Sequence, residues 1–87
     1  MKSLNSYIVR EVRDRKFLKL MKDAGLDKII LCKGDGYYWI TSDDDATYDI
    51  INSLAETTIY VNSFNQQTPE QWVEDIKHLL KDTELVK

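Results

Sequence analysis

The apolar positions near the start of the chain follow a helical spacing that does not run straight. Four of them lie on one side of a helix: Phe17, Leu20, Met21 and Ala24. Ile8 and Val12 fall roughly 150° away at 100° per residue. We therefore predict a helix that breaks near residues 13–16, or one whose first turns pack on something else. Asp14 is suited to cap the second piece, and Gly25 to follow its last turn.

Two apolar runs in the middle of the chain have the composition of strands. The run "KIILCK" (28–33) and the run "YYWIT" (37–41) are separated by "GDG" (34–36), and Asp-Gly is a strong hairpin signal. Alternation places Tyr38 and Ile40 on one side of the second strand. The pattern therefore predicts a β-hairpin with an aliphatic side turned towards a core.

Helical spacing returns after the hairpin. Ser42 precedes Asp43, Asp44 and Asp45, which we interpret as an N-cap with an acidic first turn. The segment "TTIYVNSF" (57–64) is predicted as a third strand. The last helix is expected to begin at "TPEQ", with an N-cap, a proline at its first position, a capping box and one apolar stripe: Thr68, Pro69, Gln71, Trp72, Val73, Ile76, Leu79 and Leu80.

These elements predict an α+β fold with the order α-β-β-α-β-α. The sheet is expected to have three strands, a hairpin plus a strand reached through a helix, with the helices packed mainly on one face. A crossover would make the third strand parallel to the second. The 87 residues form a single domain (1–87), in which residues 1–15 have the character of an N-terminal extension.

A sheet covered on one face leaves the other face open. Alternation places Tyr37 and Trp39 opposite Ile40, and Tyr60 opposite the aliphatic residues of the third strand. Two expectations stay open for these rings. Either residues 6–9 ("SYIV") fold over them, or they form an aromatic patch for a partner or a homodimer.

Composition narrows the cellular setting. No apolar run approaches the roughly 20 residues of a membrane span, and the first residues lack the apolar core of a signal peptide. Cys32 is the only cysteine and has no internal disulfide partner. The expectation is a cytoplasmic protein with no membrane association.

The net charge of −3 conceals a strong asymmetry along the chain. Residues 1–33 contain nine Lys or Arg and four Asp or Glu, whereas residues 34–87 contain three and eleven. Between Gly34 and Asp75 there are nine acids and no basic residue. Either the two halves neutralise each other in the fold, or an acidic face is left to attract a basic partner.

Asp43, Asp44 and Asp45 also match parts of two motifs that bind metal ions or transfer phosphate. Residues 43–47 match D-x-D-x-T, in which one carboxylate attacks phosphorus and both help to hold Mg²⁺, but that chemistry needs a larger parallel sheet. The same residues resemble the start of an EF-hand, except that Tyr48 and Leu54 replace the required Gly and Glu. A helix cap accounts for the same residues, so no metal is expected.

The other candidate sites are weaker. The glycines of "GDG" lead into a strand, so they cannot direct a helix N-terminus at a phosphate. Cys32 is expected to be a packed thiol, and His78, the only histidine, to be solvated, so they do not form a catalytic pair. The basic residues of the first segment are a solvated face, pair with the chain's own acids, or touch phosphate. We expect no enzyme activity and no cofactor.

The middle and C-terminal parts resemble a group of small uncharacterised proteins of bacterial phages and other mobile elements. The shared features are a Gly-acid-Gly-Tyr hairpin ("GDGY"), a Ser/Thr-x-Tyr-Val strand ("TIYV") and a terminal helix opening on Trp-Val, over about residues 25–80. Those proteins often have Arg and His after the third strand, where this chain has "NSFNQQ". The resemblance implies no catalytic residue. It implies an inhibitor of a host defence system.

The sequence therefore favours an acidic protein-binding module, with a partner that has a basic surface. The expected contact residues are six acids and three aromatics: Asp35, Asp43, Asp44, Asp45, Asp49, Glu56, Tyr37, Trp39 and Tyr60. The alternative is single-stranded nucleic-acid binding, in which the three aromatic rings stack on bases and the N-terminal basic residues contact the backbone. The acidic composition argues against that alternative.

Overall fold

The computed structural model describes residues 10–86. Within that range the chain forms four strands, three α-helices and one 3₁₀ turn. In chain order these are β1 (Arg10–Glu11), α1 (Arg15–Asp23), β2 (Ile30–Lys33), β3 (Tyr38–Thr41), α2 (Asp45–Asn52), β4 (Thr58–Ile59), the 3₁₀ turn (Phe64–Gln66) and α3 (Pro69–Leu79). The predicted α+β class is confirmed.

The sheet has four antiparallel strands in the order β1-β2-β3-β4, and not three strands as predicted. Arg10 faces Lys33 across the first pair of strands, Cys32 faces Trp39 in the hairpin, and Trp39 faces Thr58 across the last pair. The expectation that the third predicted strand would lie parallel to the second is wrong. That strand is β4, which pairs antiparallel to β3.

The length of α2 explains the antiparallel pairing. Its eight residues extend only about 12 Å, and residues 53–57 are long enough to run back along it. The chain therefore re-enters the sheet at the end where β3 finished, where the amide of Ile40 donates to the carbonyl of Thr57. A parallel strand would have to enter at the other end. β4 is also shorter than the predicted 57–64, because a tight turn closed from Val61 N to Ile59 O diverts the chain.

The predicted break in the first segment is confirmed. Asp14 caps α1 by accepting a hydrogen bond from the amide of Phe17 (2.9 Å), and β1 precedes it. The helix ends at Asp23 with Ala24 as its C-cap, Gly25 follows with φ of +75°, and the amide of Leu26 donates to the carbonyl of Met21. This is the Schellman arrangement, for which glycine has the lowest steric cost. Of residues 1–15, the part from Arg10 onwards contributes β1 and the cap, and residues 1–9, including "SYIV", lie outside the described residues.

One core joins the three helices to a single face of the sheet. Its strand members are Leu31, Tyr38 and Ile40, as alternation predicted for β3. The helices contribute fully or nearly fully buried side chains: Phe17, Met21, Ile51, Trp72, Val73 and Ile76. Trp72 is the largest of them, and its indole N–H donates to the carbonyl of Phe64 at 2.8 Å.

The start of α3 follows the prediction closely. Thr68 is the N-cap, Pro69 occupies the first turn, and the amide of Gln71 donates to the Thr68 hydroxyl. The side chain of Gln71 donates to Asp75 instead of completing the capping box. Within residues 10–86, no helix combines the length and the hydropathy that a membrane crossing requires.

Candidate functional site

The acidic residues at the start of α2 lie where β3 leaves the sheet. Asp44, and not Ser42 as predicted, is the N-cap: one of its carboxylate oxygens accepts from the amide of Thr47 (3.0 Å) and from its hydroxyl (2.8 Å). Ser42 is buried two residues earlier, where its hydroxyl accepts from the Asp44 amide and donates to the carbonyl of Lys28. A carboxylate with two local donors is a better cap than a hydroxyl already engaged elsewhere.

Asp44 is a structural residue as well as an acidic one. The hydrogen bonds from Thr47 hold the pKa of its carboxyl below the usual value, and the ammonium group of Lys28, 3.7 Å away, adds to the effect. The aspartate is therefore ionised and fixed in place. A test of the acidic surface has to leave Asp44 intact, because its loss would unwind the first turn of α2.

Three other aspartates around α2 have no such partners. Asp43, Asp45 and Asp49 are exposed, and none forms an ion pair with a residue between 10 and 86. Asp45 and Asp49 are four positions apart on the helix, a spacing at which like charges destabilise it. Only two of the five ion pairs in the described chain, Lys16–Glu70 and Lys28–Asp44, join the basic first part to the acidic remainder. Neutralisation between the two halves is therefore limited.

Glu56 lies at the same end of the sheet as these aspartates. The register of β3 and β4, extended by the Ile40–Thr57 hydrogen bond, places it beside Thr41. Its carboxylate accepts from the amides of Thr57 (3.1 Å) and Thr58 (3.3 Å). Thr58 belongs to β4, an edge strand of the described sheet, so the hydrogen bond from its amide helps to protect an edge that could otherwise pair with another chain. We name the exposed residues Asp43, Asp45, Asp49 and Glu56 the acidic end.

Asp35 is not part of the acidic end. It lies in the β2–β3 turn, at the opposite end of β3 from Asp43, and the strand alone separates the two by about 13 Å. Its neighbours there include Arg10 and Lys33. The six acids predicted as one contact surface are therefore divided between two ends of the sheet.

The three aromatic residues differ in their surroundings. Tyr37 and Trp39 lie on the face of the sheet away from the helices, where Tyr37 is exposed and Trp39 is half-buried. Tyr60 follows β4 and is 75% exposed, the most exposed of the large apolar side chains described. Two of the rings therefore share the face of the sheet that no helix within residues 10–86 covers, which we name the open face, whereas Tyr60 lies at the margin of the sheet.

The ring of Tyr37 packs directly on the backbone of Gly34. The amide of Gly34 donates to the carbonyl of Tyr37 (2.8 Å), and a Cβ added to Gly34 would collide with the aromatic ring. The predicted hairpin is confirmed, with Asp35 and Gly36 at its tip and φ of +85° at Gly36. An aromatic side chain laid over a cross-strand glycine fixes the register of a hairpin.

The contact between the Tyr37 ring and Gly34 can be tested by a substitution at Gly34. We expect Gly34→Ala to lower the free energy of unfolding by about 1–3 kcal/mol, because the new methyl group displaces the Tyr37 ring. In a Tyr37→Ala background the same substitution should be close to neutral. Urea unfolding of the four proteins measures the coupling. Equal costs of Gly34→Ala in both backgrounds would contradict the contact.

Cys32 lies on the open face, in a row with Glu11, Trp39 and Thr58. Its side chain is nevertheless completely buried. Burial raises the pKa of the thiol from 9.0 to about 12, and the negative charges of Glu11 and Asp43 contribute. The thiol is thus held in its unreactive form, as expected of a packed cysteine.

Residues 10–86 do not form the catalytic and metal sites that were considered from the sequence. His78 is exposed on α3 and Cys32 is buried in β2. Among residues 10–86, no three His, Cys, Asp or Glu side chains converge in a way that could hold a metal ion. Thr47, the threonine of the D-x-D-x-T match, donates its amide and its hydroxyl to Asp44 in the cap of α2.

Comparisons with known proteins found no match, so the structure is interpreted from its own residues. No family model, no curated protein and no solved structure matches the chain.

The sequence did not predict which residues the individual basic side chains would meet at these sites. Lys28 pairs with Asp44, and Arg10 faces Lys33 across the sheet. Arg10 was assigned to a helical stretch, so its place in a strand was not foreseen. The available signal was the break in the apolar stripe before Asp14, which permitted a strand there.

Proposed function

We propose that this chain is a small acidic protein-binding module whose acidic end engages a basic surface of a partner protein. The observation that supports the proposal is the lack of ion pairs between the acidic end and residues 10–86. Four exposed carboxylates that form no ion pair with residues 10–86 repel one another. A basic groove on a partner relieves that repulsion and accelerates association.

The partner class that fits this surface best is an enzyme that acts on nucleic acid. Such enzymes present basic grooves to phosphates, and carboxylates spaced along a helix start and a strand edge can occupy them. In the setting of a phage or mobile element, the activity would be inhibition of a host defence enzyme. That setting rests on the resemblance of the hairpin and terminal helix to small mobile-element proteins.

Single-stranded nucleic-acid binding is the weaker candidate. Tyr37 is exposed and Trp39 is half-buried on the open face, so bases would stack mainly on the Tyr37 ring. Glu11 occupies the same face, and the Asp43 charge reaches it. Both acids repel a phosphate backbone, so a basic protein suits this surface better. A homodimer through Tyr37 and Trp39 remains compatible with either function, and light scattering measures it.

Affinity capture from the native host tests the proposal. The test variant carries Asp43→Asn, Asp45→Asn and Asp49→Asn, and it keeps Asp44 as the cap of α2. We expect it to lose its captured partner, and the wild-type complex to weaken steeply as salt is raised, since the contacts are between exposed charges.

A matched control separates this site from net charge. Glu74→Gln, Asp82→Asn and Glu84→Gln remove the same charge from exposed positions on α3 and in the segment that follows it. The control should retain the partner. If the control and the test variant capture the same proteins with the same affinity as the wild type, the acidic end is not the binding surface.

A further inference from the structure

A second polar site lies at the hairpin end of the sheet, opposite the acidic end. A shallow pocket there is lined by Arg10 of β1, Lys33 of β2, the turn residues 34–36 and Asn62. The side chains of Arg10, Lys33 and Asn62 are all exposed. The pocket thus brings two cations, an amide side chain and an open turn together from three separate parts of the chain.

The two cations are placed unfavourably for stability. Arg10 and Lys33 are direct cross-strand partners in the β1–β2 ladder. Like charges directly opposite each other destabilise a sheet. Within residues 10–86, neither has a carboxylate within ion-pair distance. An anion bound between them would remove the repulsion.

The turn supplies further donors. The amides of Asp35 and Gly36 donate to no residue in the described part of the chain. Gly36 has φ of +85°, and a Cβ built on it would lie 3.5 Å from Oδ1 of Asn62. Free backbone amides in turns commonly form concavities that bind phosphate groups. Arginine and lysine side chains are the usual charged partners of phosphate oxygens.

Asp35 opposes an anion in this pocket. Its carboxylate belongs to the lining, so one negative charge accompanies the two positive ones. The charge of Asp35 predicts that an anion binds only weakly, and it predicts the direction in which a substitution of Asp35 changes that binding. Removing the Asp35 charge should strengthen the binding of an anion, whereas a pocket formed for a cation would respond in the opposite direction.

We propose that this pocket binds a phosphate group, held by Arg10, Lys33 and the turn amides. The source is a free phosphate ion or the terminal phosphate of a small monoester, which present the same oxygens. The proposal is independent of the function assigned to the acidic end, because the two sites share no residue.

The test is a titration of the ¹⁵N-labelled full chain with inorganic phosphate, at constant ionic strength maintained with sodium chloride. We expect saturable shifts of the Asp35, Gly36 and Asn62 amide signals, with a dissociation constant on the order of a millimolar. Lys33→Gln should weaken binding about tenfold, the usual effect of losing a hydrogen bond to a charged group. Asp35→Asn should tighten it several-fold. Adenosine and adenosine monophosphate, titrated in parallel, distinguish a monoester from the free ion.

The control is Lys22→Gln, which removes an exposed charge from α1. It should leave the dissociation constant unchanged. The proposal is overturned if the hairpin signals do not move, if sodium chloride alone moves them equally, or if Lys22→Gln weakens binding as much as Lys33→Gln. Asp35 lies outside the β1–β2 ladder, so Asp35→Asn tests the site without disturbing that pairing. Weaker binding by this variant would also overturn the proposal.

Discussion

Replacing Trp72 with alanine is expected to destabilise the protein by about 3–5 kcal/mol, the usual cost of truncating a large buried aromatic residue. The indole has no exposed surface and contacts the rings of Tyr38 and Phe64, with centroids 4.7 and 5.3 Å away. Domains of this size are stable by about 5–15 kcal/mol, usually towards the lower end. We therefore expect most of the cooperative unfolding transition to be lost, as measured by far-UV circular dichroism in urea.

Trp72 has this effect because it joins three parts of the fold. Its ring lies between the core face of β3 and the 3₁₀ turn, and its N–H satisfies the carbonyl of Phe64. Phe64 in turn meets Phe17 of α1 edge to face, with centroids 5.7 Å apart. Truncation removes the apolar contacts and leaves a partly buried carbonyl without its donor, and both losses destabilise.

The second tryptophan provides the matched control. Trp39 is half-buried on the open face of the sheet and lies outside the core cluster. Trp39→Ala should cost about 1 kcal/mol, the typical value for a partly exposed position. If it cost as much as Trp72→Ala, the open face would have to be packed as tightly as the core, and it would be unsuited to a partner.

Local signals in the sequence were sufficient where a few neighbouring residues decide the structure. Asp14, Gly25 and Thr68 take the roles that their residue types predict, because caps are satisfied within one turn of the chain. The hairpin and the burial of Tyr38 and Ile40 follow from the turn and from alternation. These features are local, so no long-range information was needed.

Apart from the N-cap of α2 and the capping box of α3, the errors concern contacts between distant residues. β1 has two residues, too few for any periodicity, and it is a strand only because β2 lies beside it. The direction of β4 depends on the short return from α2. The division of the acids has the same origin: Asp35 and Asp43 are eight positions apart in the sequence, yet an intervening strand places them at opposite ends of the sheet.

The thiol of Cys32 is expected to react about a thousandfold more slowly in the folded protein than in the unfolded chain near pH 8. A pKa raised from 9.0 to about 12 leaves about a thousandth as much thiolate, and the thiolate is the nucleophile. The side chain is also fully buried, and this slows the reaction further. Labelling with a chromogenic disulfide reagent, with and without urea, measures the ratio directly.

The raised pKa of Cys32 also makes the stability of the folded protein depend on pH. Above pH 9.0 the thiol ionises in the unfolded chain but stays protonated in the fold, so its contribution to stability falls as the pH rises towards 12. Cys32→Val removes this contribution. The stability of the wild type relative to the variant should therefore fall by on the order of 1 kcal/mol between pH 8 and pH 10. Rapid labelling of the native protein, together with a pH-independent difference between wild type and variant, would show that Cys32 is accessible on the open face. It would also mean that the carboxylates of Glu11 and Asp43 do not raise the thiol's pKa.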